Sequence, residues 1–290
     1  MSGALTAERR AAVVHEQTAG WSAALEIGFE VRAGRTAIVK KRHHGPLGVQ
    51  RAFYPEPDGL AHVYVLHPPG GIVHGDELHV QINVGTGAAA LVTTPAATKF
   101  YRSAGRVAQV TQRLIVQDGA SLEWLPQETI VYGEAQVRTE TRVELTPGAR
   151  FCGWDIVCLG RAASGDHFAA GRLNQAFEIW QAGRPLWIER SHFDASEPIR
   201  HALWGLGGRS VFGTFVCSGQ SAPAVSALRA AVEFDRSHEL FSVSQTREAI
   251  VCRYLGGGTE RARAVFAQAW AALRPIVFGR AASPPRIWLT

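Results

Sequence analysis

Residues 66–103 read LHPPGGIVHGDELHVQINVGTGAAALVTTPAATKFYRS, and this stretch decides how the rest of the chain is read. At its centre Leu78, Val80, Ile82 and Val84 alternate with Glu77, His79, Gln81 and Asn83. A period of two puts apolar side chains on one face of a strand and polar ones on the other. The strand is bounded by Pro68-Pro69-Gly70-Gly71 and by Gly85-Thr86-Gly87, both turn chemistry. Gly85 to Ala90 also fits the glycine spacing of a dinucleotide-binding turn, which needs a helix to open at the third position. Leu91-Val92-Thr93-Thr94-Pro95 reads instead as strand and stop, so a hairpin turn is the expectation.

The same alternation extends outward. Trp21, Ala23, Leu25, Ile27, Phe29 and Val31 share one face, His62 to His67 form another strand, and Val137, Thr139, Thr141, Val143 and Leu145 a third. Phe177–Gln181 and Leu186–Arg190 flank a turn and read as a hairpin. One-sided strands of this kind build antiparallel sheets with one wet face. Helical spacing comes late: a short helix from Ser196-Glu197-Pro198 to the glycines at 205–208, a second over Pro223–Phe234, and a third over Glu260–Leu273, stopped by Pro275. The expectation is a mainly β fold with a few helices in the C-terminal third. No linker or repeat interrupts it, so one domain spans 1–290, with 1–19 a flexible N-terminal segment. The tail Pro284-Pro285-Arg286-Ile287-Trp288-Leu289 is aromatic enough to dock.

The chain has 290 residues, 46% of them hydrophobic, which allows a sizeable core. No apolar run approaches the ~20 residues that span a bilayer, and the N-terminus lacks the hydrophobic run of a secretory signal. A cytoplasmic protein without membrane contact is expected. The four cysteines form no CxxC and suggest buried thiols. The +5 net charge comes from arginine, since only Lys40, Lys41 and Lys99 are lysines. The basic run Lys40 to His44 lacks interleaved aromatics and reads as a solvated strand end, not a nucleic-acid site.

His74-Gly75-Asp76-Glu77-Leu78-His79 offers imidazole and carboxylate ligands suited to Ni²⁺, Zn²⁺ or Fe²⁺. Glu77 and His79 share a strand face and Asp76 points the other way. Taken alone, each histidine reads first as a surface or hydrogen-bonded side chain, and a cupin-like metalloenzyme is the rival. Glu128 sits in an apolar neighbourhood, where a buried acid needs a partner, and Lys99 is a candidate.

Residues 67–103 closely resemble the UreD (UreH) family of urease accessory proteins. GPLGVQRAFYPEPDG near 45–59, LEWLPQETIVYGEAQ at 122–136, CLGRAASGDHFAAGRL at 158–173 and the terminal PRIWLT support it. The resemblance implies two stacked, twisted, largely antiparallel sheets and a metallochaperone scaffold that is not an enzyme. It implies binding of apo-urease, recruitment of UreF and the GTPase UreG, UreE as a nickel donor, and no firmly bound cofactor. It also implies a passage for transient Ni²⁺, for which Asp76, Glu77, Glu128 and His74 are the candidate contacts and Lys99 their charge partner. His74 and Asp166 depart from the family pattern, which has glycine and glutamate there. Such a scaffold is expected to expose apolar patches to its clients.

Overall fold

The computed structural model describes residues 20–289 apart from 104, 162–163 and 220–221. The segment 1–19 lies outside the described residues. Strands β1 (Ser22–Arg32) and β2 (Arg35–His44) pair as a hairpin, and the chain then crosses to a second sheet in β3 (Gly48–Val49) and β4 (Ala61–Leu66). From there it shuttles between the sheets. β5 (Glu77–Val84) belongs to the first and β6 (Ala89–Thr93) to the second. After β7 (Thr98–Phe100), β8 (Ala108–Val116) and β9 (Ser121–Trp124) repeat the step. After β10 (Thr129–Val131), β11 (Gln136–Leu145) and β12 (Arg150–Leu159) repeat it again. β13 (Arg172–Gln181) and β14 (Arg184–Asp194) finish the first sheet as the expected hairpin. β15 (Val211–Ser218), β16 (Leu240–Gln245) and β17 (Ala249–Gly256) finish the second.

From β5 to β12 the long strands alternate between the sheets, so neighbours within a sheet there lie one full coil apart and run the same way. The first sheet has the order β14-β13-β11-β8-β5-β1-β2, parallel throughout except for a hairpin at each edge. The second is parallel from β4 to β12 and antiparallel beyond. The fold is mainly β, as expected, but the sheets are mixed and solenoid-like where antiparallel ones were expected. Alternation along a strand reports one wet face, not the direction of its neighbour.

Three congruent turns make the crossings: Gly85–Ala88, Gln117–Ala120 and Thr146–Ala149. In each, the fourth N–H donates to the first carbonyl, at 3.0, 3.0 and 3.1 Å. The glycine in third place has φ of 69°, 64° and 81°, the geometry of a type II turn. Ala88, Ala120 and Ala149 are buried and sit one coil above the next, with Ser121 N–H donating to Ala88 O and Arg150 N–H to Ala120 O. The Gly85 turn is therefore a crossing between sheets, not a hairpin, and x-x-Gly-Ala is a short internal repeat where none was expected.

The facing sheets enclose one core, including Leu25, Ile27, Val80, Ile82, Leu114 and Val143 from the first and Val63, Leu122 and Phe151 from the second. The other face of the second sheet is covered by α1 (Ala222–Ala231) and α2 (Thr259–Phe278), which pack Leu228, Phe266, Trp270 and Leu273 onto Leu91, Trp154 and Phe215. α2 runs past Pro275 and ends at Gly279, in the left-handed conformation, whose N–H donates to Pro275 O. The expected stop at Pro275 comes a turn late because Phe278 is still buried against the core. The expected helix after Ser196 shortens to a 3-10 turn at Pro198–Arg200, with no side-chain cap. The aromatic tail does dock: Trp288 lies tilted against Trp154 and edge-on to Trp270, and it donates to Thr93 Oγ1 at 3.2 Å. No helix among the described residues is long and apolar enough to cross a membrane.

Candidate functional site, an inter-sheet cavity

The inward faces of β8, β11 and β13 break their apolar pattern at neighbouring register positions. Gln112 stands opposite Thr141, and Thr139 opposite Gln175. From the facing sheet β12 contributes Asp155. These side chains hold one another, Thr141 Oγ1 donating to Gln112 Oε1 at 2.8 Å and Gln175 Nε2 to Asp155 Oδ2 at 2.6 Å. Beside them the sheets leave a cavity of about 240 Å³, lined by Gln112, Thr139, Thr141 and Asp155 at one side and by His67, the Pro68–Gly71 turn, Thr94 and Lys99 at the other. The turn is seated on Tyr101, whose hydroxyl donates to Gly70 O and whose ring leaves no room for a Cβ at Gly71.

Asp155 is the chemically loaded member. Burial pushes its carboxyl up to about 6, the Gln175 hydrogen bond opposes this, and the Glu189 charge adds to it. Asp155 also borders a second, smaller space with Gln175, Glu189 and Thr214. Glu189 accepts from Thr214 Oγ1 at 3.0 Å and pairs with Arg253 at 3.4 Å. At the opposite end His67 borders a pocket of about 200 Å³ shared with Asp76. Burial lowers the His67 pKa, against the pull of the Asp76 carboxylate. Carboxylates thus stand at both ends of a line of amides, hydroxyls and one imidazole. Among the described residues no three His, Cys, Asp or Glu side chains converge as a metal-holding group.

The structure separates the residues singled out in the sequence. Lys99 lines the cavity. Asp76 faces the neighbouring pocket, but both its oxygens accept backbone N–H groups, from Trp21 at 2.8 Å and Val73 at 2.9 Å. Glu77 is exposed on the outer face of the first sheet, on the same side as His79. His74 lies in a loop with Nδ1 at 3.2 Å from Ser103 Oγ. Glu128 is buried but turned away: its partner is Arg263 on α2, at 3.1 Å, not Lys99, and Thr259 Oγ1 donates to it at 3.4 Å. Asp166 shapes a loop, accepting from Gly133 N–H and Phe168 N–H at 2.9 and 3.0 Å.

Asp155 and Glu189 escaped the sequence reading, and so did the most buried ionic group. Arg274, 0% exposed, pairs with Glu56 at 2.7 Å and Glu123 at 2.9 Å. Trp270 Nε1 donates to Glu123 at 2.6 Å, and His62 Nε2 lies 2.7 Å from Glu56. Burial alone would raise the Glu56 carboxyl, but hydrogen bonds from His62 and Arg274 outweigh it and hold it at about 2. The cluster ties α2 to the second sheet and lies outside the cavity.

Fold and site together define a solenoid-like β protein whose apolar inter-sheet core is interrupted by a polar seam with carboxylates at its ends. Residues 22–289 match the family model described as UreD urease accessory protein, and the chain belongs to that family. It is 43% identical over 272 residues to a protein from Brucella anthropi named urease accessory protein UreD 2, covering 93% of this chain and 99% of that one. Urease accessory protein UreD of Dechloromonas aromatica is 42% identical, covering 95% and 96%, and that of Chromohalobacter salexigens is 45% identical, covering 93% and 89%.

Proposed function

We propose that this chain acts in the cytoplasm as a non-catalytic scaffold of urease maturation, holding apo-urease together with UreF and UreG while Ni²⁺ moves through its interior. UreE is the proposed donor. Membership of the family supports the role in maturation, and the inter-sheet cavity supports the passage. The observation that carries the passage is Asp155, a carboxylate in a polar seam between two apolar sheets with a pKa near 6.

A conduit must attract a divalent cation and let it go, so its sites should be weak, several and spaced apart. Oxygens of Asp155, Gln112, Thr141 and Glu189 answer that description, and His67 adds one borderline nitrogen ligand. Asp155 is largely ionised above about pH 6 and takes up a proton below it, so proton and cation compete for the same carboxylate. Transit should therefore slow as pH falls below about 6.

Asp155→Asn tests this. Urease matured with the variant chain should assemble the same complex yet carry at least about tenfold less nickel, with Asp155→Glu in between. A tenfold loss corresponds to about 1.4 kcal/mol. Equal nickel loading by wild type and Asp155→Asn would reduce this chain to an adaptor.

A further inference from the structure

The connection from β14 to β15, residues 195–210, buries only Leu206 in the core, with Ala195 and Ile199 packed partly buried against it, and it is tightly built. After the Pro198–Arg200 turn, Leu206 N–H donates to Ile199 O at 2.8 Å, Gly207 N–H to Ala202 O at 3.0 Å and Gly208 N–H to Arg200 O at 2.8 Å. Gly205 admits no side chain, because a Cβ there would lie 2.0 Å from Ile199 O. Leu206 is buried beneath the loop, and the Arg200 guanidinium donates to the carbonyls of His167 and Phe168. The tip of this stiff frame holds Leu203, 95% exposed, and Trp204, 75% exposed.

A hydrogen-bonded loop that holds an indole in water has already met the ordering cost that an interface would otherwise impose. Tryptophan leads the residues that dominate binding energy at protein interfaces. The surroundings add a charge. Arg200 and Arg209 donate to backbone carbonyls, Arg209 Nε to His238 O at 3.3 Å, and neither forms an ion pair among the described residues. Two arginines that flank the tip in sequence are thus without an ion pair among the described residues, although the Asp166 charge acts on Arg200.

We propose that Leu203 and Trp204 anchor a protein–protein interface, and that the partner offers an apolar socket rimmed by carboxylates. Two apolar side chains on a rigid loop, with no amphipathic helix behind them, supply little area for a bilayer. The proposal rests on the scaffold reading and assigns one of its docking points. The loop joins β14 to β15, the strands that carry Glu189 and Thr214.

The test uses the full chain and the double variant Leu203→Ser/Trp204→Ser, each co-expressed with the urease structural subunits, UreF and UreG. Complex composition is read by native mass measurement and affinity by titration of the purified proteins. The variant should keep the wild-type melting temperature and lose one partner, with affinity for it about 30-fold weaker or worse. Arg209→Glu should weaken the same partner and leave the others. Retention of every partner at wild-type affinity overturns the proposal. So does a variant whose only defect is in self-association, or in binding to vesicles of phosphatidylcholine and phosphatidylglycerol. A wild-type chain that captures none of these proteins overturns the scaffold reading, and the proposal with it.

Discussion

Arg274 shows what one side chain can hold. Removing it leaves Glu56 and Glu123 buried without a counter-charge, and loss of one partner from such a pair costs about 3–5 kcal/mol. Arg274→Ala should lower the urea midpoint of the purified chain accordingly, and an unchanged midpoint would refute the role given to the cluster. Acid should act on the same site. Glu56 has a folded pKa of about 2 against an ordinary 4.5, so its contribution is present above 4.5 and is lost as pH falls from there towards 2. Asp155 works in the opposite direction. Between 3.8 and about 6 the folded chain keeps a proton that the unfolded chain releases, so stability declines as pH rises through that window. Melting curves against pH should show both limbs, and Asp155→Asn should flatten the second. Neither residue is singled out by the sequence reading. Asp155 is the one acid in an otherwise apolar strand, a signal that was there to use. Arg274 lies four residues beyond Trp270, on the same helical stripe, but an arginine near a helix end reads as solvated.

Among the elements, strands with one wet face were legible because their alternation survives in the sequence. Those of the second sheet were harder. β9 and β15 are buried on both faces, by the opposite sheet and by α2, and so show no period. Parallel direction was invisible because it depends on the turns. The clue lay in Gly87-Ala88, Gly119-Ala120 and Gly148-Ala149, a repeat only two residues long at intervals of a whole coil. The edge hairpins use other turns, in which Ala33 and Ala182 adopt φ of 49° and 48° ahead of Gly34 and Gly183. Alanine is strained there, whereas asparagine tolerates the conformation. Ala182→Asn should therefore raise stability by about 0.5–1 kcal/mol, read as a higher melting temperature. A decrease would show that the turn relaxes in solution.

At the scale of the molecule, each coil is hydrogen-bonded to the one before and the one after it, while the outermost strands have a neighbour on one side only. Opening should begin at the margins. Hydrogen exchange should be slowest in β5, β8 and β11 and fastest in β2, β14 and β16. Uniform protection across the first sheet would contradict that order. The candidate site was legible only in outline. Sequence marked the Pro68–Gly71 corner and Lys99, which do border the cavity. It could not show that Glu128 would be claimed by Arg263, because the two are 135 positions apart and meet only when α2 folds over the second sheet.

A stack of parallel coils also poses a problem of growth. An unpaired parallel edge is a template on which another chain can continue the ladder, and repetition of that event makes a filament. Here the last strand at each end of the first sheet turns back on itself. The leading one, β2, carries Lys40, Lys41, Arg42, His43 and His44 along its rim. In the vocabulary of polymerisation these hairpins are terminators, and the basic run puts a charged, solvated rim on the edge where a further chain would have to attach.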